Sequence, residues 1–167
     1  MTKKRLLFCL VFFLSLLCVS CQKKPKANAL FPETLPNLHL MKLLQGREAI
    51  KAVNKLHGRV IKVKKAWVAY YKGAFYQGNW HEATIWVSEA FTLSQAEQQV
   101  EIMMQKIMQS HKTPFYGFKK KREKGTEVYI FWGIGKQHAV FRKGKMVFWI
   151  SASFEVFDDV LNHYLSV

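Results

Sequence analysis

Residues 126–152, "TEVYIFWGIGKQHAVFRKGKMVFWISA", are the part of the chain that decides its fold. Three short runs, at 126–132, 137–142 and 146–152, are rich in β-branched and aromatic residues. Only short turns that contain glycine separate them, and strands joined in this way pair antiparallel with their neighbours. The stretch therefore predicts three consecutive strands of one antiparallel sheet.

Upstream and downstream of this meander the apolar pattern predicts two more strands and three helices. Alternation over 59–73 and 82–91 is typical of strands. Helical spacing of apolar residues predicts helices at 45–57, 92–112 and 153–167. We therefore expect an α+β fold in the order α-β-β-α-β-β-β-α, with two or three helices packed on a sheet of about five strands. Amphipathic helices on one sheet make a two-layer sandwich.

The N-terminal stretch from Leu6 to Ser20 carries no charge and follows Lys3, Lys4 and Arg5. As a helix, fifteen residues span about 22 Å, which is short of the roughly 30 Å core of a bilayer. A positively charged start followed by a short apolar run is typical of a secretory signal peptide. We therefore expect export rather than a permanent membrane span.

The end of this run, "LCVSC" at 17–21, resembles the lipobox of bacterial lipoproteins. The resemblance implies that Cys21 receives a diacylglycerol and that a peptidase cuts the chain just before it. Two other outcomes remain open. A general signal peptidase that cuts near "CVS" would release a soluble secreted protein. An uncleaved anchor would be flanked by Lys23, Lys24 and Lys26.

These features predict a cleaved signal peptide at 1–20, a lipidated tether at 21–37 and a single α+β domain at 38–167. The tether is rich in proline and lysine and lacks periodicity. Gln22 stands where many lipoproteins of the inner membrane carry aspartate. The resemblance thus implies the outer membrane, facing the periplasm, with the periplasmic face of the inner membrane as the alternative.

The chain is strongly basic. Without residues 1–20 it keeps 23 Lys and Arg against 11 Asp and Glu. Such a balance indicates an anionic partner, and for an exported protein we expect an anionic lipid, a glycan or an acidic envelope protein rather than nucleic acid. Two groups are candidate binding residues, together with an exposed Tyr70 or Phe75: Arg59, Lys62, Lys64 and Lys65, and Lys119, Lys120, Lys121 and Arg122. The first group could instead protect an edge strand, and the second could be a solvated loop.

No catalytic motif is complete. His81-Glu82 resembles the start of a zinc-protease motif, but Ile85 stands where the second histidine is required. No G-x-S-x-G occurs, and Cys9 and Cys18 would leave with the signal peptide, which leaves no pair for a disulfide or a thiolate metal site. We therefore predict a non-enzymatic envelope binding or accessory module without metal or cofactor.

The alternative is an exported hydrolase whose site is assembled from distant residues. Glu82, Glu89 and Glu127 are the carboxylates considered for it. The folded part resembles, in pattern only, uncharacterised envelope domains of bacterial lipoproteins, and that likeness implies no activity.

Overall fold

The computed structural model describes residues 27–58, 60–110 and 112–167. In these residues the chain forms eight strands and three helices. Their order and bounds are β1 Thr34–Leu35, β2 Leu38–Gln45, α1 Gly46–His57, β3 Lys65–Tyr76, β4 Asn79–Glu89, α2 Leu93–Gln109, β5 Phe115–Glu123, β6 Thr126–Gly133, β7 Lys136–Lys143, β8 Met146–Ala152 and α3 Phe154–Ser166.

All eight strands belong to one antiparallel sheet in the order β1-β2-β3-β4-β8-β7-β6-β5. The pairing of β4 with β8 joins the two halves of the chain at the centre of the sheet. The predicted α+β class with one antiparallel sheet is confirmed. The predicted number of about five strands is wrong, and so is the element order, because the prediction lacks β1 and β2 and allows the basic stretch of β5 to be either a connection or a hairpin arm.

The helices lie on both faces of the sheet, so the predicted two-layer sandwich is also wrong. Helix α3 packs on the face that carries Phe148 and Ile150 of β8. Helices α1 and α2 cover the opposite face, the helix-pair face, where α2 packs on Val147 and Trp149 of β8. Alternate residues of a strand point to opposite faces, and β8 is therefore apolar on both sides. The four consecutive apolar residues "VFWI" at 147–150 occur because helices cover both faces of the sheet at this strand.

The helix boundaries follow local chemistry. Helix α1 ends at Gly58, which adopts the left-handed conformation (φ 62°) and caps the helix. Two capping pairs are available in sequence at the start of α2, and the structure uses Thr92 with Gln95. The Thr92 hydroxyl accepts a hydrogen bond from the Gln95 amide at 3.1 Å. The Gln95 side chain in turn accepts from the Phe91 amide at 3.1 Å. The predicted second helix is thereby confirmed with its start one residue later.

Residues 27–37, which we call the N-terminal strap, pack on the α3 face. Phe31 is completely buried and lies 6.3 Å, ring centre to ring centre, from Tyr164 of α3. The Tyr71 hydroxyl donates to the Pro32 carbonyl at 3.0 Å, and burial raises the pKa of Tyr71 to about 12. Leu35 of β1 belongs to the same core. The folded domain therefore starts upstream of residue 38, inside the stretch predicted as a tether.

The two edges of the sheet are protected differently. Strand β1 has two residues and offers little backbone to another chain. Strand β5 has nine residues, but its register shifts between Tyr116 and Lys119, where Gly117 has φ 66°. A Cβ at Gly117 would lie 2.8 Å from Cδ1 of Trp132, so glycine permits both the bulge and the close packing. Bulges and lysines are common protections of edge strands.

Cys21, the predicted signal peptide and Arg59 lie outside the described residues. Among the described helices, none is long and apolar enough to cross a membrane.

Candidate functional site

Most of the predicted binding residues lie at one end of the sheet. The ladder places Lys65 of β3 opposite Glu89 of β4, Glu89 opposite Met146 of β8, and Met146 opposite Lys143 of β7. This row marks the end of the sheet where β3, β6 and β8 begin and β4, β5 and β7 finish. We call it the basic end. Its cations are Lys62, Lys64, Lys65, Lys121, Arg122, Lys124, Arg142, Lys143 and Lys145.

Three of these lysines surround a single carboxylate. Lys64 Nζ lies 3.0 Å from Oε1 of Glu89, and the Lys64 amide donates to the Glu89 carbonyl at 2.7 Å. The carbonyl of Lys145 accepts from the Ala90 amide at 2.9 Å, which holds the β7–β8 turn beside Glu89. The hydrogen bond from Lys64 lowers the pKa of Glu89, and the charges of Lys64, Lys65 and Lys145 lower it further. This Glu89 lysine cluster carries three positive charges and one negative charge.

The second predicted group, Lys119 to Arg122, lies on the edge strand β5 rather than on a solvated loop. Lys120 and Lys121 form ion pairs with Glu127 at 2.8 Å and Glu123 at 2.6 Å. Edge protection was considered for the first group, but β3 has β2 and β4 on either side, and Lys62 and Lys64 precede it. The edge-strand interpretation therefore belongs to the second group.

The two groups do not form one site. Five strand spacings of about 4.8 Å separate β3 from β5, which amounts to about 24 Å. The aromatic residues that were considered as partners are also elsewhere. Phe75 stands at the tip of the β3–β4 hairpin, at the opposite end of the sheet, and Tyr70 packs in the core beneath α1. The structure thus joins Lys64 and Lys65 to Lys145, and it leaves β5 apart.

Arg122 of the second group lines a polar cleft of about 560 Å³ beside α2. That volume lies within the usual range for ligand sites. The carboxylates of Glu97, Glu101 and Glu127 also line it. Glu97 is paired with Arg142 at 3.2 Å, and Glu127 with Lys120. The cleft has nearly balanced charge and offers less attraction to an anion than the Glu89 lysine cluster.

The three carboxylates considered for a hydrolase do not converge. Glu127 lines the polar cleft and Glu89 lies in the lysine cluster, whereas Glu82 pairs with Lys136 at the opposite end of the sheet. Within residues 27–58, 60–110 and 112–167, no group of three or more His, Cys, Asp or Glu side chains is placed to hold a metal ion.

Comparison of the chain with protein-family models, with curated proteins and with solved structures gives no match. The functional interpretation therefore depends on geometry and charge. Sequence reasoning missed Lys145 and Glu89 as members of the cluster. Lys145 belongs to the "RKGK" turn, whose glycine indicated only a turn, and the strand register that brings it to Glu89 is not visible in the sequence.

Proposed function

We propose that this chain is an exported envelope protein, anchored by a lipid on Cys21, whose domain binds anionic headgroups through the basic end of the sheet. The observation that carries the proposal is the Glu89 lysine cluster, in which three lysines share one carboxylate. The residues that could bind an anion thus come from β3, from the loop before it and from the β7–β8 turn. The proposed activity is binding rather than chemistry.

The charge balance of the cluster supports an anionic ligand. Lys64 already donates to Glu89, whereas Lys65 and Lys145 act on this carboxylate through their charges alone. A phosphate that approaches the cluster therefore meets uncompensated positive charge. Lysine presents a compact point charge on a flexible side chain. Such charges can follow headgroups that move in a fluid surface, which a rigid pocket could not do. Attraction of this kind between exposed charges weakens as salt is added.

Phospholipid headgroups are the partner that the proposed anchor favours, since a lipid on Cys21 would hold the domain beside them. Each basic residue near an anionic membrane contributes about 1 kcal/mol. Removal of three lysines should therefore weaken binding by about 3 kcal/mol, or roughly 100-fold. An anionic glycan or an acidic envelope protein would use the same cluster and is distinguished by the test below.

The test uses a chain that starts at residue 22, because it keeps the N-terminal strap and lacks the lipid. We expect it to bind phosphatidylglycerol vesicles, to ignore phosphatidylcholine vesicles, and to lose binding as salt rises from about 0.05 to about 0.3 M. The variant with Lys64, Lys65 and Lys145 changed to Gln should bind roughly 100-fold more weakly. The control changes exposed Lys42, Lys51 and Lys55 to Gln, which removes equal charge from β2 and α1.

Equal losses in the two triple variants would show that only net charge matters and would contradict a site at the basic end. Absence of vesicle binding by the unchanged domain would remove phospholipid as the partner. The anchor is tested separately by mass spectrometry of the mature N-terminus, where we expect diacylated Cys21. An unmodified Cys21 would overturn the anchor and leave the binding site standing.

A further inference from the structure

The polar cleft lies between α2 and the outer strands of the helix-pair face. Glu97 and Glu101 are four residues apart on α2 and therefore lie on the same side of the helix. Across the cleft, Arg122 of β5 stands opposite Glu127 of β6 in the ladder. Tyr129, two residues further along β6, packs on the same face of the sheet. The cleft thus has one wall from a helix and one from strands, and charged side chains line both walls.

Most of the charged side chains that line the polar cleft have partners within the protein. Arg142 pairs with Glu97 at 3.2 Å, and Glu127 pairs with Lys120 at 2.8 Å. Lys143 donates to a carbonyl of α3 at 3.1 Å. These contacts account for four of the six charged side chains that line the cleft.

Arg122 and Glu101 are the two that remain. Within residues 27–58, 60–110 and 112–167, neither side chain forms an ion pair or a hydrogen bond, and they do not pair with each other. Both are exposed, and they come from opposite walls, since Arg122 lies on β5 and Glu101 on α2. The cleft therefore presents one guanidinium and one carboxylate that are both available to a ligand.

We propose that the polar cleft binds a small zwitterion, whose carboxylate or phosphate contacts Arg122 and whose ammonium group contacts Glu101. A guanidinium can form two parallel hydrogen bonds to either kind of anion. An anion alone would be repelled by the three carboxylates of the cleft, and a cation alone by its two arginines and Lys143. Charge complementarity therefore selects a ligand that carries both charges. The proposal does not rest on the Glu89 lysine cluster, whose four residues do not line this cleft.

Two sources supply this chemistry: a short peptide with free ends, and a phosphoethanolamine group. The cleft of about 560 Å³ has room for either, since a cavity of about 150 Å³ holds benzene and a tripeptide of glycine has only about 13 non-hydrogen atoms. Glycine, diglycine, triglycine and tetraglycine place the two charges progressively farther apart, by about 3.5 Å per residue. The peptide that binds best thus measures the separation between Arg122 and Glu101.

Probes that lack one charge test the zwitterion requirement. The N-acetylated form of the best peptide keeps only the anion, and its amide keeps only the cation. Glycerol phosphate and ethanolamine are the corresponding probes for phosphoethanolamine. Titrations use the chain from residue 22, which keeps every residue that the structure describes, at low salt because exposed ion pairs weaken as salt rises. NMR follows the amide signals of Gly125 and Gly144, which line the cleft.

We expect the zwitterion to bind about fivefold more tightly than either probe with a single charge, which is the upper value for one exposed ion pair. The variant Arg122→Gln should bind the zwitterion no better than the cation alone. The variant Glu101→Gln should bind it no better than the anion alone. The matched controls are Arg47→Gln and Glu48→Gln, which remove the same charges from exposed positions of α1 outside the cleft; both should keep the full preference.

Equal binding of the zwitterion and its single-charge relatives by the unchanged protein would overturn the proposal, and so would a preference that survives in both cleft variants. Equal losses in the α1 controls would show an effect of net charge alone and would also overturn it. The variant with Lys64, Lys65 and Lys145 changed to Gln should retain zwitterion binding; a loss there would place the binding at the Glu89 lysine cluster instead. Failure of every probe to shift the two glycine signals would overturn the site. Binding of the peptide alone or of phosphoethanolamine alone supports the proposal and identifies the source.

Discussion

Replacing Phe31 by Ala tests whether the N-terminal strap is part of the folded domain. Phe31 is 0% exposed, lies against Tyr164 of α3 and belongs to the core of the α3 face. Truncation of a buried phenylalanine costs about 3–5 kcal/mol, from lost transfer free energy and from the cavity left behind. The surrounding chain can fill the cavity left by the Phe31 ring only in part, because the hydrogen bond from Tyr71 holds the adjacent Pro32 carbonyl in place. We therefore expect a value near the upper end of that range.

The assay is thermal and urea unfolding of the chain from residue 22, followed by circular dichroism. For a domain of this size, 1 kcal/mol shifts the melting temperature by about 3 °C, so Phe31→Ala should lower it by roughly 10–15 °C. The control is Phe91→Ala, the same change at a residue that is 51% exposed, where we expect an effect within about 0.5 kcal/mol. If the two variants unfold within about 1 kcal/mol of each other, the strap does not belong to the cooperative core.

Three further outcomes are expected. The free energy of unfolding should fall as the pH drops below about 6.5, because burial lowers the pKa of His138 in the folded state and the unfolded chain then binds the extra proton. The decrease due to His138 is at most about 1.4 kcal/mol per pH unit. Urea titrations of wild type and His138→Phe at several pH values check this, and an equal pH dependence in both would contradict it. Gly73→Ala should destabilise the domain by at least about 2 kcal/mol, since a Cβ there would lie 2.0 Å from the carbonyl oxygen of Asn37, and an unchanged urea midpoint would show that the strap can move aside. Changing Lys119 and Lys121 to Val should promote self-association through β5, measured by light scattering; a variant that stays monomeric would show that the lysines do not protect this edge.

The sequence predicts best those elements whose burial is regular. Met146 to Ala152 is a strand with the expected bounds, because glycine turns and dense apolar residues mark it clearly. Helix α3 buries the predicted stripe of Phe157, Val160, Leu161, Tyr164 and Leu165. In both elements the apolar residues that recur with the period of the strand or helix are the ones that face the core. The local sequence pattern is therefore sufficient to predict these elements.

The strands that were missed lack such a pattern. Strand β2 begins with buried Leu38 and Leu40, but a register shift between Leu40 and Lys42 breaks its alternation. Strand β5 has an exposed outer side and carries lysines and arginine where an inner strand carries valine or isoleucine. An edge strand is held mainly by backbone hydrogen bonds to its one neighbour. These bonds do not require particular side chains, so the amino-acid composition does not indicate the strand.

The sequence predicts that lysines form the candidate site, but it does not predict which lysines lie together. Lys64 and Lys65 were identified from local charge, whereas Lys145 joins them only through the pairing of β4 with β8. The run from Lys119 to Arg122 looked equally suitable, yet its ion pairs and its place on β5 separate it from the cluster. Charge density in sequence does not distinguish a shared site from a protected edge, since that distinction depends on the neighbours in the sheet.

If Cys21 carries the proposed lipid, the position of Phe31 limits how far the domain can stand from the membrane. Ten residues lead from Cys21 to Phe31, and a fully extended chain of that length reaches at most about 36 Å. Phe31 is fixed against the last turn of α3, whose carbonyls accept from Lys124 and Lys143 of the basic end. A tether from Cys21 would thus join the domain where the strap packs against α3. A lipid on Cys21 would keep Phe31 within about 36 Å of the headgroups, so the folded domain would stay beside the membrane surface and could not extend far from it.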